Sequence, residues 1–304
     1  MIHHLPHTSI NRQKWDACIA TSQNRLPYAL SWWLDAVSPE WDALVQDDYL
    51  AVMPLTHGFK FGISYLYQPY FTQQLGIFSP SSVSPATIYE FISSIPLKYK
   101  YVQIQLNSGN NLQHTDLTFS TRKNFILDLT LSAIELSSNY HRNCRRNIQK
   151  AINAGFTVKQ GPSPSVFTHF IRNNLDKQLK GTRKTFYPTL ARITSASVQQ
   201  SAGEILGVYS HTGELVAAGW FIMMLRRCLF QVCASTDNGK ENQAMYMLVN
   251  HVISKNAGSG LVFDFAGSNI PGIAYFNSGF GSMVTHYPLI TRNLLPWPVR
   301  WLKK

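Results

Sequence analysis

Arg142, Arg145 and Arg146 are the side chains of this chain best suited to hold an anion. Guanidinium groups match the oxygens of phosphate and carboxylate, and no Asp or Glu lies four residues away to neutralise these arginines. They belong to residues 122–192, which hold thirteen basic and three acidic residues and therefore ten of the eleven net positive charges. A field this concentrated acts on a partner more than on the fold. We therefore expect an anionic partner; the alternative is a solvated helix face.

Further residues are candidates for the same anionic ligand. Lys180 and Arg183 lie in a glycine-containing loop between two predicted helices, and they add positive charge. Ser235 and Asp237 follow a predicted strand and are candidates by position only. For each of them the alternative is a polar surface residue without a ligand.

The chain is expected to form two successive units that share an order of elements. Its length and its apolar share of 45% suit one large or two medium globular domains. Residues 132–135 have the sequence of a helix capping box, and we expect one basic helix from there to about Ala154, ended by Gly155. We place a domain boundary just before this helix, which divides the chain into residues 1–130 and 131–304. The packed face of the helix would contain Ile134, His141, Cys144, Ile148, Ala151 and Ile152.

Several classes of protein are disfavoured. The longest apolar run, Val216–Leu225, is too short to span a bilayer, and the first residues lack the basic start and apolar run of a signal peptide. The four cysteines show no spacing typical of a metal site, so we expect reduced thiols in a cytoplasmic protein and no metal. Neither a P-loop nor a nucleophile-elbow motif occurs.

The second half of the chain resembles the GNAT acyltransferase fold, and two regions narrow the resemblance to the FemAB/FemX group. Residues 141–151 and 155–158 are similar to a segment of that group, Arg-Asn-x-Arg-x-x-Ile-x-Lys-Ala, which precedes its second GNAT-like domain. Residues 264–267, 272–276 and 279–281 are similar to its segment Gly-(Ile)-x-x-Phe-Lys-x-x-Phe-Gly. The resemblance implies an α/β (α+β) fold of tandem GNAT-like domains, with mixed sheets flanked by helices. It also implies transfer of an acyl or aminoacyl group to an amine.

The resemblance implies two kinds of donor, neither of them a tightly bound cofactor: acyl-CoA, as in ordinary GNAT enzymes, or aminoacyl-tRNA, as in FemX-type enzymes. The usual GNAT pyrophosphate loop, Arg/Gln-x-x-Gly-x-Gly/Ala, corresponds here to residues 237–246, which contain one glycine and the acidic Asp237 and Glu241. Acidic side chains repel phosphate, so this departure leaves the donor open. The alternative to catalysis is a GNAT-like module that binds RNA or an anionic lipid head group.

Asp264, Tyr275 and Tyr70 are the candidates for catalysis. Aminolysis needs a deprotonated amine, a donor for the developing oxyanion and a path for the released proton. Asp264 ends a predicted apolar strand, where its carboxylate could orient or deprotonate the amine. The alternative for Asp264 is a residue that caps a helix or stabilises a loop. The tyrosines could donate protons, and the alternative for each is packing.

Gln73 and Gln74 lie beside Tyr70 in a loop, and their amides could read a polar substrate. An equally good interpretation is a loop that satisfies its own backbone. The expected partners are CoA or a nucleotide-linked or lipid-linked precursor, with tRNA as a further one and no DNA. Trp297 and the basic end of the chain would suit contact with a membrane surface, and packing of the Trp side chain is the alternative.

Overall fold

The computed structural model describes residues 1–112, 119–175, 183–267, 269–297 and 300, without the side chain of Arg183. Its α-helices are α1 (Arg12–Thr21), α2 (Ser31–Val37), α3 (Pro85–Ser93), α4 (Ala133–Ser138), α5 (Arg142–Asn153), α6 (Pro164–Leu175), α7 (Arg183–Gln199), α8 (Asp237–Glu241), α9 (Ala244–Lys255) and α10 (Pro271–Ser278). No helix in this part of the chain is long and apolar enough to cross a membrane.

The strands alternate with these helices along the chain, as expected for an α/β (α+β) fold. They are β1 (Ile2–Leu5), β2 (Asp42–Gln46), β3 (Ala51–Leu55), β4 (His57–Lys60), β5 (Ile63–Leu66), β6 (Tyr99–Gln105), β7 (Phe119–Asp128), β8 (Thr157–Gln160), β9 (Gly203–Tyr209), β10 (Leu215–Met224), β11 (Arg227–Ser235), β12 (Val262–Asp264) and β13 (Met283–Asn293).

The chain divides into two compact units, residues 1–122 with 286–304, and residues 123–285. This differs from the expected division at residues 130 and 131. β13 pairs with β6 in antiparallel register, so the end of the chain completes the first unit. The capping box at residues 132–135 marks the start of α4. The strand before it, β7, pairs with β12 and therefore belongs largely to the second unit.

The first unit contains two sets of strands. β1, β2 and β3 form an antiparallel sheet, and the order β4-β5-β6-β13 forms a mixed one in which β5 and β6 are parallel. Inward-facing residues of β6, including Val102 and Ile104, pack in a core with Ile88, Phe91 and Ile92 of α3. The spacing of these three residues gives α3 one apolar face, which explains its position on the core.

The second unit is a sheet with the order β7-β12-β11-β10-β9-β8. β11 and β12 are parallel, and the other neighbours are antiparallel. Every residue from Val216 to Ile222 in β10 is buried, which explains the long apolar run in the sequence. Leu248, Val249 and Val252 of α9 belong to the same core.

The expected basic helix from residue 132 to about Ala154 is wrong, because the chain forms two helices, α4 and α5. The capping box is confirmed, since the Glu135 amide donates to Ser132 Oγ over 3.3 Å and the Ser132 amide donates to Glu135 Oε2 over 2.9 Å. The break comes at His141, whose amide donates to the Gly279 carbonyl over 2.9 Å and not to a helix carbonyl.

This break changes which side chains face the core. Ile134 is 82% exposed, and His141 is an exposed N-cap, so neither lies on the packed face as expected. Ile152 is also exposed, whereas Cys144, Ile148 and Ala151 are buried as expected. Gly155, at φ +71°, follows the helix as predicted, in a left-handed conformation that glycine adopts at little cost.

The expected loop around Lys180 and Arg183 is also different. Arg183 is the first residue of α7, four positions before the expected start at Tyr187, and Pro188 lies inside the helix. Lys180 lies outside the described residues.

The N-terminal strand is held by a buried carboxylate. β1 pairs with β2, and the His4 ring nitrogen Nε2 lies 2.8 Å from Asp42 Oδ2, which also accepts from the Tyr99 hydroxyl over 2.8 Å. His57 Nε2 lies 3.5 Å from Asp42 Oδ1. Burial raises the pKa of Asp42, but hydrogen bonds from His57, Tyr99 and His4 outweigh it and hold the pKa below its usual range.

We expect Asp42→Asn to lower the free energy of unfolding by about 2 kcal/mol at neutral pH, because it leaves buried donors without a charged acceptor. The folded-state pKa of Asp42 lies below its unfolded value, so its contribution is complete above about pH 4 and is lost as the pH falls. Chemical denaturation at several pH values measures both effects. Asp48→Asn is the control, since Asp48 pairs with Lys14 at an exposed site. Equal losses in the two variants would contradict the role of Asp42.

Candidate functional site

The basic helix α5 presents its arginines to solvent. Cys144, Ile148 and Ala151 are buried, and the helix packs against α9. Arg142, Arg145 and Arg146 are all exposed, as the sequence predicted. The apolar spacing of the helix therefore fixes which side carries the guanidinium groups.

These arginines have weak local partners. Arg145 donates to the Ser138 carbonyl over 3.0 Å, and Arg146 donates to Asn143 Oδ1 over 2.6 Å. Within the described residues, no carboxylate forms a salt bridge with any of the three. Their charge is therefore available to an external anion.

The start of α5 is held by the glycine-rich segment that follows α10. Besides the bond from His141 to Gly279, the rings of Tyr140 and Phe280 meet edge to face at 5.3 Å. Gly281 has φ +72°, and a Cβ there would lie 3.0 Å from the Asn139 carbonyl oxygen. A larger residue would meet both backbone strain and a close contact at this point. The two regions that carried the family resemblance are therefore in direct contact.

Tyr246, near the start of α9, is a candidate that the sequence did not indicate. Asn147 of α5 and Tyr275 of α10 both lie close enough to its hydroxyl to influence its pKa. Burial raises the pKa of Tyr246, so the phenol stays protonated at neutral pH and can donate. Only its place three residues after Gln243, in the expected pyrophosphate region, could have drawn attention to it.

The predicted candidate Tyr275 lies on the surface of α10 with 57% of its area exposed. Two residues later, the Asn277 side chain is 2% exposed, and its amide nitrogen has no hydrogen-bond partner among the described residues. Asn277 follows Phe276 where the FemX-type pattern has lysine. A neutral donor therefore occupies this position, beside a phenol that solvent and substrate can reach.

Asp264 ends β12, as predicted, but its carboxylate is fully buried and has several partners. Oδ2 accepts from Arg227 over 3.0 Å, and Oδ1 accepts from Asn124 over 3.1 Å and from the Ala266 amide over 2.9 Å. Burial raises the pKa of Asp264, and the charge of Arg227 opposes this shift. Such a group stabilises the strand end, and its role in proton transfer stays a prediction.

Ser235 and Asp237 lie apart from Asp264. In the parallel pair of β11 and β12, Asp264 lies opposite Leu229, and β11 runs on to Ser235, roughly 20 Å further along the strand. Asp237 is exposed and pairs with Lys240 at 3.0 Å. The expected phosphate loop is the short helix α8, whose Gly239 packs so closely on β10 that a Cβ would lie 2.2 Å from the Val216 carbonyl oxygen.

The other candidates belong to the first unit or lie outside the description. Tyr70 and Gln73 are partly buried. Gln74 is 2% exposed; its Oε1 accepts from the Ser108 amide over 2.9 Å, and its Nε2 donates to Gln73 over 3.0 Å. This favours the loop-stabilising interpretation for Gln74. The side chain of Arg183, like Lys180, lies outside the described residues.

The cysteines are not suited to act as nucleophiles. All four are free thiols in the structure. Burial raises the pKa of Cys18 to about 11 and the pKa values of Cys144 and Cys233 to about 12, so these thiols are protonated at neutral pH. These thiols are therefore poor nucleophiles at neutral pH.

Comparison with solved structures identifies the fold. The structure of FemX is 12% identical with a TM-score of 0.69, over 97% of this chain and 98% of that one. A tandem GNAT protein from the clavulanic acid biosynthesis pathway is 12% identical with a TM-score of 0.54, over 97% and 99%. L-PGS from Bacillus licheniformis is 14% identical with a TM-score of 0.53, over 95% and 93%. The fold is therefore FemX-like, with tandem GNAT-like domains, as the sequence predicted.

Neither a protein-family model nor a curated protein sequence matches the chain. At these identities, the likeness to solved structures establishes the fold and leaves the function to the chemistry of the residues.

We expect the double variant Arg145→Gln, Arg146→Gln to bind a short RNA, used as a model polyanion, about tenfold more weakly than the wild type at low salt. The slope of log K against log salt should fall by about 1 to 2, because two phosphate contacts are lost. Fluorescence anisotropy over a salt series measures both. Lys159→Gln, on exposed β8, is the control. Unchanged affinity in the double variant would contradict an anion-binding role for α5.

We expect Asp264→Asn to lower the free energy of unfolding by about 3 kcal/mol, because Arg227 would lose a buried partner. Urea denaturation measures the loss. Asp237→Asn, at an exposed site, should change the value by no more than about 0.5 kcal/mol. A stable Asp264→Asn protein would show that the carboxylate does not hold this strand end.

Proposed function

We propose that the protein is an acyl- or aminoacyltransferase of the GNAT/FemX type. It would move an acyl group from an activated donor, acyl-CoA or aminoacyl-tRNA, to an amine. The amine nitrogen attacks the acyl carbon, the carbonyl oxygen takes up negative charge, and the bond to the leaving sulfur or oxygen breaks. The leaving group takes up a proton, which a phenol can supply, and the resulting phenolate accepts the proton that the attacking nitrogen releases.

The observation that carries this proposal is the contact between Tyr246 and the basic helix. α9, which carries Tyr246, packs on α5. Asn147, the next residue after Arg146, and Tyr275 both lie close enough to the Tyr246 phenol to influence its pKa. Proton donors thus lie on elements adjacent to unpaired guanidinium groups, which suit the phosphates shared by CoA and tRNA.

The exposure of the side chains distinguishes the candidates for each role. Tyr275 is the better candidate for proton transfer, since its hydroxyl is on an exposed side chain, whereas Asp264 has no exposed surface. The amide nitrogen of Asn277 is also buried, so this residue, like Asp264, is a weaker candidate than Tyr275 for contact with the substrate. Asp264 would then act by holding the end of β12 in place.

The form of α8 favours the tRNA-linked donor over CoA. Gly239 is packed on β10, and Thr236 Oγ1 already accepts from the Gly239 amide over 3.1 Å, so this turn is closed upon itself. Asp237 and Glu241 are exposed on the same helix and would repel a diphosphate. A donor whose phosphates are bound by the arginines of α5 does not need this turn for binding.

The alternative is a non-catalytic GNAT-like module that binds an anionic partner, RNA or a lipid head group. The closed turn at α8 and the asparagine at position 277 both agree with it. Such a protein would bind charged tRNA without consuming it, which separates the two proposals by experiment.

The test is calorimetric titration with acetyl-CoA, free CoA and charged tRNA at low and physiological salt, followed by donor consumption with an amine panel. Mass spectrometry of lysine, a lysine-containing peptide and an amino sugar would detect an acylated product. Micromolar binding of acetyl-CoA that persists with salt would identify a CoA-dependent enzyme. Binding of charged tRNA without any product would support the non-catalytic module and contradict catalysis.

In an active protein, we expect Tyr275→Phe to lower kcat by about 100-fold while the donor affinity stays within about twofold, because the variant lacks only the hydroxyl. Steady-state kinetics with the donor identified above measure both. Tyr89→Phe, an exposed tyrosine of α3, is the matched control. Full activity in Tyr275→Phe would exclude this phenol as the proton donor.

A further inference from the structure

The hairpin of β4 and β5 ends in two aromatic side chains that are largely exposed to solvent. Phe59 is 73% exposed and Phe61 is 88% exposed. Phe61 and Gly62 form the turn with φ +53° and +75°, a conformation for which asparagine and glycine are favoured. A phenylalanine at this φ is uncommon and strained, and here its ring contributes little to the core. The fold alone does not account for this residue.

The register of the strands brings three further exposed apolar side chains to the same end of the sheet. β5 and β6 are parallel, so the hairpin tip before β5 lies at the end where β6 begins, next to Leu97. β13 is antiparallel to β6, so its last residue reaches that end too. The chain continues there through Leu294, whose amide donates to the Lys100 carbonyl over 2.7 Å, to Trp297.

We call this set of side chains the apolar edge: Phe59, Phe61, Leu97, Leu294 and Trp297. All five are exposed, and Trp297 is 78% exposed. The segments that carry them, residues 58–62, 94–100 and 292–300, contain five basic residues and no acidic one. Lys60 lies over the Phe61 ring at 5.1 Å, and Lys60, Lys100 and Arg300 are exposed.

We propose that the apolar edge of the first unit docks on the surface of an anionic lipid bilayer. Phenylalanine, leucine and tryptophan side chains partition into the interface between head groups and acyl chains, and lysine and arginine beside them attract anionic lipids. Charge complementarity selects this occupant, since the exposed cations Lys60, Lys100 and Arg300 lie on segments that contain no acidic residue. This inference goes beyond the proposed function and does not depend on it, because none of these residues belongs to the candidate site.

RNA and a second copy of the chain fit the edge less well. RNA binding would use the cations but give no reason for exposed leucines and for a strained phenylalanine at a hairpin tip. A second copy would bring an equal set of positive charges against the first one. Both are retained as outcomes of the test.

The test is co-sedimentation of the full chain with vesicles of phosphatidylcholine, alone or mixed with phosphatidylglycerol, at about 0.1 M salt. We expect binding to the mixed vesicles, and a partition coefficient about tenfold lower for Phe59→Thr, Phe61→Asn. These replacements suit a strand and a left-handed turn, so the fold is kept. Leu50→Ser, an exposed leucine in the turn between β2 and β3, is the matched control and should bind as the wild type does.

Lys60→Gln should weaken binding to the mixed vesicles and leave binding to phosphatidylcholine unchanged. Absence of wild-type binding to mixed vesicles would overturn the proposal, as would equal binding by the double variant. A dimer that dissociates in the double variant, seen by sedimentation velocity, would assign the edge to self-association and overturn it as well. If the wild type binds RNA and the double variant does not, the edge would be a nucleic-acid site and the proposal would be overturned.

Discussion

Packing around Phe280 is the constraint on which the second unit depends. This ring is fully buried and contacts Tyr140 at 5.3 Å, Tyr246 at 5.7 Å, Phe265 at 5.8 Å and Phe276 at 5.3 Å. The four partners come from the segment between α4 and α5, from α9, from the residue after β12 and from α10. One aromatic cluster therefore fixes the basic helix, both phenols and the loop after Asp264 relative to one another. The chemistry proposed for this unit relies on positions that hydrophobic burial has already determined.

Buried and exposed charged side chains differ in how fully they are paired. The buried carboxylates of Asp42 and Asp264 each have several donors, and each connects elements distant in the sequence. The arginines of α5 have only a carbonyl and an amide oxygen as local partners. Burial of an unpaired charge is costly, whereas an exposed guanidinium can remain available for a ligand. This contrast distinguishes residues that hold the fold from residues that can bind.

The sequence predicted the elements that local physical chemistry determines. The capping box at Ser132, the glycine after α5 and the exposed arginines all depend on residues a few positions apart, and all are confirmed. The break at His141 depends on the Gly279 carbonyl, which is distant in the sequence, and no local pattern contains it. The same holds for β1, whose partner β2 follows two helices later, and for the pairing of β13 with β6. Fold class was predictable from motifs, whereas Tyr246 became a candidate only once its neighbours were known.

The position of β13 has a consequence for biosynthesis. Because its partner β6 lies near residue 100, the first unit lacks a strand until the ribosome has made residues 286–293. The second unit has all its residues earlier, since it is inserted within the first. We therefore expect the second unit to fold before the first unit is complete. Until β13 is synthesised, one edge of β6 has no partner strand. Such an edge is open to misassociation, so delayed release or truncation near the end should harm the first unit more than the second.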